Sequence, residues 1–395
     1  MKIAMVGQFP PHIGGVGVHI HTLSKELIKQ GHEVYVITYP HKDIKDIDGI
    51  HVIGTKGVNI PGLRGAFFAI NAKRELKKLI EEENIDIIHG HYLFPAGWAS
   101  VKAGKSTHTK TYVTSHGSDM FEMYRKQSFM RPLIKKVLKD ADVVLAVSNA
   151  LREEIINTKI PNIEEKTKVH WNAVDIDKFK TTKENESKFK KELVQEFNID
   201  AEKPIILFVG NLIKRKNVDL LLEAKKQMGT KANLVIVGDG PILEQLKAKV
   251  EKEHLDNVYF TGSRRDVEDI IPSCDLLVLP SLSESFGLVL IEALACGKPV
   301  IGSNVGGIKE IITEDVGLLF NPNDSKDLSD AIDKIFCDED LMEKFKSNAR
   351  NRAKDFAEVK LPYDELNWNY KKRNIKSKWK IIKTFKNWFK PIIFI

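Results

Sequence analysis

Short apolar runs alternate with stretches of helical period along nearly the whole chain. In the first half, Ile3–Val6, Val34–Thr38, Asp86–His89, Tyr112–Ser115 and Val143–Val147 read as buried strands. Between them, Val16–Gln30, Arg64–Glu83 and Ser148–Asn157 repeat apolar residues at helical spacing. The second half repeats the scheme. Its strands are Ile205–Val209, Leu234–Val237, Val258–Thr261, Leu276–Leu279 and Pro299–Gly302, and its helices Val218–Gln227, Ile242–Glu253, Leu288–Ala295 and Leu328–Phe336. Strand–helix alternation of this kind builds a parallel, doubly wound sheet. The polar stretch Asp175–Asp200 separates the halves and is expected to hold a linker and a short helix. The fold class is therefore α/β, with two Rossmann-like domains facing across a cleft that gathers the carboxyl ends of both sets of strands. The expected divisions are a first domain at 1–175, a linker at 176–202, a second domain at 203–360, and a returning helix and tail at 361–395.

Composition changes this picture little, and charge changes it at one end. A chain of 395 residues, 42% hydrophobic, can bury a core in each of two domains. Cys274, Cys296 and Cys337 show neither metal-ligand spacing nor a disulfide framework, which is cytoplasmic usage. No segment approaches the roughly 20 apolar residues of a spanning helix. The net charge is +7, but nine basic and no acidic residues lie between Lys371 and Ile395. The body is thus nearly neutral, which argues against a nucleic-acid-binding protein. On a helical wheel Ile375, Ile381, Ile382, Phe385, Trp388, Phe389 and Ile392 of this tail share one face, opposite Lys376, Lys380, Lys383, Lys386 and Lys390. Such a segment suits an anionic membrane surface, while docking on the first domain or binding RNA stays open. A membrane site would put the protein at the inner face of the cell membrane and favour a lipid-linked acceptor.

Four segments carry candidate chemistry. In Pro280–Glu292 a buried strand ends, a Ser-rich turn follows, and a helix begins near Phe286. The first free N–H groups of that helix, around Ser285, Phe286, Gly287 and Leu288, favour a phosphate. Glu284 lies on the turn and Glu292 among Leu290, Ile291, Ala293 and Leu294, poor company for a merely solvated charge. Lys214, Arg215 and Lys216 follow Phe208-Val209-Gly210-Asn211 between a strand and a helix, where basic side chains can meet a diphosphate. Gly238-Asp239-Gly240-Pro241 makes a turn after another strand. Gly14, Gly15 and Gly17 open the first helix, where backbone can approach a ligand closely. A dinucleotide fingerprint would need a third glycine and an acid after the second strand; both are missing, which disfavours an NAD enzyme.

Glu284 and Glu292 form an E-x7-E pattern, and the continuation Ala293–Ile301 and Val305–Glu310 resembles the retaining glycosyltransferases of family 4, the group 1 transferases of the GT-B fold. The resemblance runs from about Lys2 to Tyr370, and Trp171–Asp175 with Phe179 is similar to the family's interdomain strand. It implies an enzyme that moves a sugar from a nucleotide-diphosphate sugar to an acceptor with retention of configuration. It implies that Glu284 lies by the donor sugar, that Glu292 holds the ribose hydroxyls and that Lys216 meets the diphosphate. Asn211 stands where the family often has an arginine, which leaves open whether Arg215 or Lys214 supplies the second charge. Gly210, Gly238 and Gly240 belong to the implied donor site, and His116, in His-Gly-x-Asp, reaches the donor from the first domain. Gly14, Gly15, Gly17, His91 and Asp119 fall on the acceptor side.

His89 reads as a buried structural histidine, and no further Cys or Glu completes zinc spacing with His91 and His116. Asp46–Asp48 and Asp175–Asp177 lie in polar turns, and the basic clamp makes a metal unnecessary. The expected cofactor list is empty. The rival readings are a sugar-nucleotide epimerase of the same fold and an inactive sugar-nucleotide-binding protein.

Overall fold

The computed structural model describes residues 1–12, 14–56 and 63–363. The basic tail and its proposed membrane face lie outside the described residues. Two parallel sheets account for the strands. The first contains β1 (Lys2–Val6), β2 (Glu33–Thr38), β3 (His51–Gly54), β4 (Ile87–His91), β5 (Lys110–Ser115), β6 (Val143–Ala146) and β7 (Thr167–Val169), in the order β3-β2-β1-β4-β5-β6-β7. The second contains β8 (Ile205–Val209), β9 (Asn233–Val237), β10 (Val258–Gly262), β11 (Leu276–Leu279), β12 (Val300–Ser303) and β13 (Gly317–Phe320), in the order β10-β9-β8-β11-β12-β13. Each order reverses once, between β1 and β4 and between β8 and β11. Loops leaving neighbouring strands part at these points and open a crevice.

The predicted strands recur with shifts of a residue or so, and Arg64–Glu83, Val218–Gln227 and Leu288–Ala295 are helices with the expected ends. The linker helix is not short: Lys183–Phe197 has 15 residues, started by a capping box between Thr182 and Asn185 and seated through buried Phe189 and Leu193. Trp171–Asp175 is not a strand either. The strand precedes it as β7, and the segment runs between the domains, where the Val174 N–H donates to the Phe356 carbonyl at 2.9 Å.

One buried apolar cluster joins Val113 and Phe121 of the first domain, through Val174 and Phe179, to Phe208 and Phe286 of the second. The chain also returns after the helix Glu339–Lys354. The Lys360 carbonyl lies 2.6 Å from His170 Nε2, and buried Tyr363 packs edge-on to Tyr112 with its hydroxyl 2.8 Å from His89 Nδ1. Tyr363→Ala should therefore cost about 3–5 kcal/mol, and Tyr363→Phe only about 1 kcal/mol. Urea midpoints at unchanged slope test this; equal, small shifts would show that the return is not anchored there.

Candidate active site

The loops after β8 and β11 meet at the second sheet's reversal. Glu284 is buried there. One oxygen of its carboxylate accepts from Lys216 Nζ at 2.6 Å and Ser281 Oγ at 3.2 Å, with Arg215 Nη1 3.6 Å away. Burial pushes the carboxyl up, but Lys216 and Arg215 outweigh it and hold the group below its ordinary range. Glu284 is thus an ionised acid inside protein, which is stable only because cations stand against it. Of the two candidates beside Asn211, Arg215 is the one that lies against Glu284. Its guanidinium donates to the Ser283 carbonyl at 2.7 Å beside Glu284, while Lys214 and Asn211 are exposed.

Glycines let the neighbouring loops close on this pair. A Cβ on Gly306 would overlap the carbonyl of Glu284, and one on Gly307 the carbonyl of Ser285. The Gly307 N–H donates to that Glu284 carbonyl at 3.0 Å. Likewise a Cβ on Gly238 would strike the Gly210 carbonyl and one on Gly240 the Leu212 carbonyl. The Gly-Asp-Gly-Pro turn therefore packs backbone to backbone against the loop after β8, and the Leu212 N–H donates to Asp239 O at 2.8 Å.

The helix after β11 is Leu288–Ala295, preceded by Gly287 at φ 104°, a left-handed conformation that favours glycine. The Phe286 side chain is buried edge-on to Phe356, which leaves its backbone for a ligand. Glu292 lies one helical turn further and is half-buried. Burial pushes its carboxyl up to about 7, with Lys178 opposing and Glu268 adding.

The first domain supplies the opposite wall. Gly15, at the start of the helix Gly15–Lys29, faces Leu288 across the cleft, where a Cβ would lie 3.5 Å from Leu288 Cδ1. Gly14 and Gly17 pack on Gln8 of the loop after β1. Ser285 donates its hydroxyl to the His116 carbonyl at 2.7 Å, pinning the turn of the second domain to the loop after β5. The half-buried His116 ring has Nε2 at 3.2 Å from His91 Nδ1. Asp119 is buried and holds its own loop: Oδ1 accepts from Ser115 Oγ (2.7 Å), Gly117 N (3.0 Å) and Met120 N (3.1 Å), and Oδ2 from Leu93 N (2.9 Å). Both ring nitrogens of buried His89 are engaged, by Tyr363 and by Thr114 Oγ1 at 2.6 Å.

The family of glycosyl transferases group 1 matches residues 189–352, and glycosyltransferase family 4 matches residues 13–178. An uncharacterized glycosyltransferase of Methanocaldococcus jannaschii is 30% identical over 379 residues, covering 93% of this chain and 99% of the relative. The chain belongs to the group 1, family 4 glycosyltransferases. N-acetyl-alpha-D-glucosaminyl L-malate synthase of Bacillus anthracis is 31% identical, covering 86% of this chain and 89% of the relative. Among solved structures, Anabaena HepE in complex with UDP-glucose superposes with a TM-score of 0.76 at 23% identity, covering 91% of this chain and 96% of that one. Its likeness carries the GT-B fold.

Two features of this glycosyltransferase's cleft were not visible in its sequence. Glu310, quoted only as part of a motif, bridges the domains: its carboxylate accepts from Asn149 N (3.0 Å), Ala150 N (3.0 Å), Asn149 Nδ2 (2.9 Å) and Trp171 Nε1 (3.1 Å). His19 and His170 join His91 and His116 in one cluster. The only sequence signal for His19 was its position in the second turn of the glycine-led helix.

Lys216→Met would leave Glu284 with one cation and should destabilise the chain by about 1–3 kcal/mol at pH 7. Because the folded carboxyl lies below its ordinary value of 4.5, the pair stabilises above that value and fades as pH falls through the depressed one. Thermal unfolding at pH 7 and pH 3.5 should show the gap between wild type and variant shrinking in acid. A constant gap would mean that Lys216 stabilises by packing alone.

Proposed function

We propose that this glycosyltransferase moves a sugar from a nucleotide-diphosphate sugar to an acceptor with retention of anomeric configuration. The second domain holds the donor and the first holds the acceptor. The observation that carries the reading is the ionised, buried Glu284 held by Lys216 at the sheet reversal, with Ser285 beside it bonded to the His116 loop of the opposite domain. The UDP-glucose complex of HepE, on the same fold, supports the donor class. The Bacillus anthracis synthase, named for an α-D-glucosaminyl group, supports a hexosyl or N-acetylhexosaminyl transfer.

In this reading Lys216 gives part of its charge to the departing diphosphate, and the N-terminus of Leu288–Ala295 stabilises the other part. Preorganised charge of this kind is usually the largest catalytic contribution. Arg215 keeps the Glu284 turn in place through Ser283 and stands 4.0 Å from Glu122 of the first domain. Glu292 accepts from the ribose hydroxyls as a carboxylate. Glu284 lies against the sugar, and His116 orients the sugar from across the cleft. No covalent nucleophile is assigned, and no metal is needed for the leaving group, so transfer continues in excess EDTA. The segment 371–395 adds a sequence-based proposal of contact with an anionic membrane and a lipid-linked acceptor. Among the described residues, no helix is long and apolar enough to cross a membrane.

Lys216→Ala should lower kcat by on the order of 10²–10³, measured as sugar transfer or, without acceptor, as donor hydrolysis. Near-normal turnover, or wild-type activity that EDTA abolishes and Mg²⁺ restores, would contradict the clamp.

Glu292 gives a second, independent test. Its carboxyl lies near 7 before ligand binds, and only the ionised form accepts two hydroxyls. Affinity for a nucleotide-diphosphate sugar, whose phosphates do not titrate in this range, should rise about tenfold from pH 6 to pH 8. Glu292→Gln should bind more weakly and without that slope. Calorimetric titration decides it, and a flat wild-type profile removes Glu292 from the ribose site.

A further inference from the structure

Beneath the cleft, three parallel elements of the first domain bring histidines to one point. His91 ends β4, His116 follows β5, and His19 lies on the helix after β1. Since β1, β4 and β5 are adjacent, their carboxyl ends deliver the three rings together. One nitrogen from each lies within 4.8 Å of the other two. His19 and His91 are 5% and 0% exposed. Nε2 of each is buried without a hydrogen-bond partner, which costs about 1–3 kcal/mol per group. A cation held between the rings would give both of these nitrogens a partner.

We propose that His19, His91 and His116 form a binding site for one first-row transition-metal cation of the zinc type. Three imidazoles without thiolate or carboxylate suit Zn²⁺, Co²⁺, Ni²⁺ or Cu²⁺ rather than Mg²⁺ or Ca²⁺. They leave a fourth position open. The half-buried His116 supplies the entry from the cleft, and water or an anionic group of a ligand fills that fourth position. His170, whose ring lies 6.0 Å from that of His19 and bonds the Lys360 carbonyl, backs the site on the far side. The ion is no part of the diphosphate clamp, which lies in the second domain. It takes His116 out of reach of the donor, so the metal acts as an inhibitor. This consequence rests on the donor role given to His116, whereas metal binding itself does not.

The test uses the full chain stripped with chelator and dialysed. Zn²⁺ is titrated against a chromophoric indicator, and Co²⁺ is followed by its visible d–d absorption. One equivalent should bind, with the absorption of a four-coordinate cobalt site. His116→Asn, at the half-buried position, should weaken binding at least about tenfold, and His19→Asn likewise if circular dichroism shows it folded. His254→Asn, on an exposed loop of the second domain, should change nothing. No stoichiometric binding, colourless Co²⁺ addition, or equal loss in His116→Asn and His254→Asn would each overturn the site. If binding holds but Zn²⁺ leaves transfer unaffected, the donor role of His116 fails and the metal site stands.

Discussion

A carboxylate without water needs a cation, and much of the second domain's cleft follows from that constraint at Glu284. Lys216 and Arg215 leave β8 on one side of the sheet reversal, and Glu284 leaves β11 on the other. The attraction ties the two loops across the crevice that the topology opens. Once tied, the backbone of 283–285 becomes a surface on which others pack: Arg215 on Ser283 O, Gly307 on Glu284 O, and Ser285 outward to His116 O. The glycines at 306 and 307 are consequences of this closeness, because a side chain at either place would occupy a carbonyl's position.

The same pair has two chemical states available to it. Without ligand, the Lys216 ammonium is satisfied by Glu284. In the proposed reaction a diphosphate would give it a second anion to share, and Glu284 would lose part of its partner as the sugar arrived beside it. An ion pair built to be shared differs from one built for stability. Burial opposes the charge on Glu284, and Lys216 and Arg215 outweigh it in the resting fold.

Much of the architecture was legible from the chain because buried parallel strands such as Ile205–Val209 read as continuous apolar runs. β3, β7 and β13 were missed for the opposite reason. They lie at sheet edges, and His51–Gly54 and Thr167–Val169 are short and partly polar. The polar helices Arg131–Asp140 and Glu339–Lys354 bury only a narrow stripe each, too little to stand out against a charged background. Glu284, Glu292 and Lys216 stood out in the sequence through motifs, and of these the structure brings Glu284 and Lys216 together. The roles of Asp119 and Phe286 did not stand out, since spacing does not reveal that four backbone and side-chain donors converge on one or that a core closes over the other. Glu310 and the histidine cluster depend on contacts between distant segments, such as Trp171 with Glu310 and His19 with His116, which no local pattern encodes.

The central claim is that the donor's diphosphate binds between Lys216 and the start of Leu288–Ala295. A crystal structure of the full chain with a nucleoside diphosphate tests it most directly. The account predicts phosphate oxygens against Lys216 Nζ and the backbone after Gly287, with the ribose on Glu292. A nucleotide bound at the glycine-led helix of the first domain, with Lys216 still closed on Glu284 alone, would contradict it.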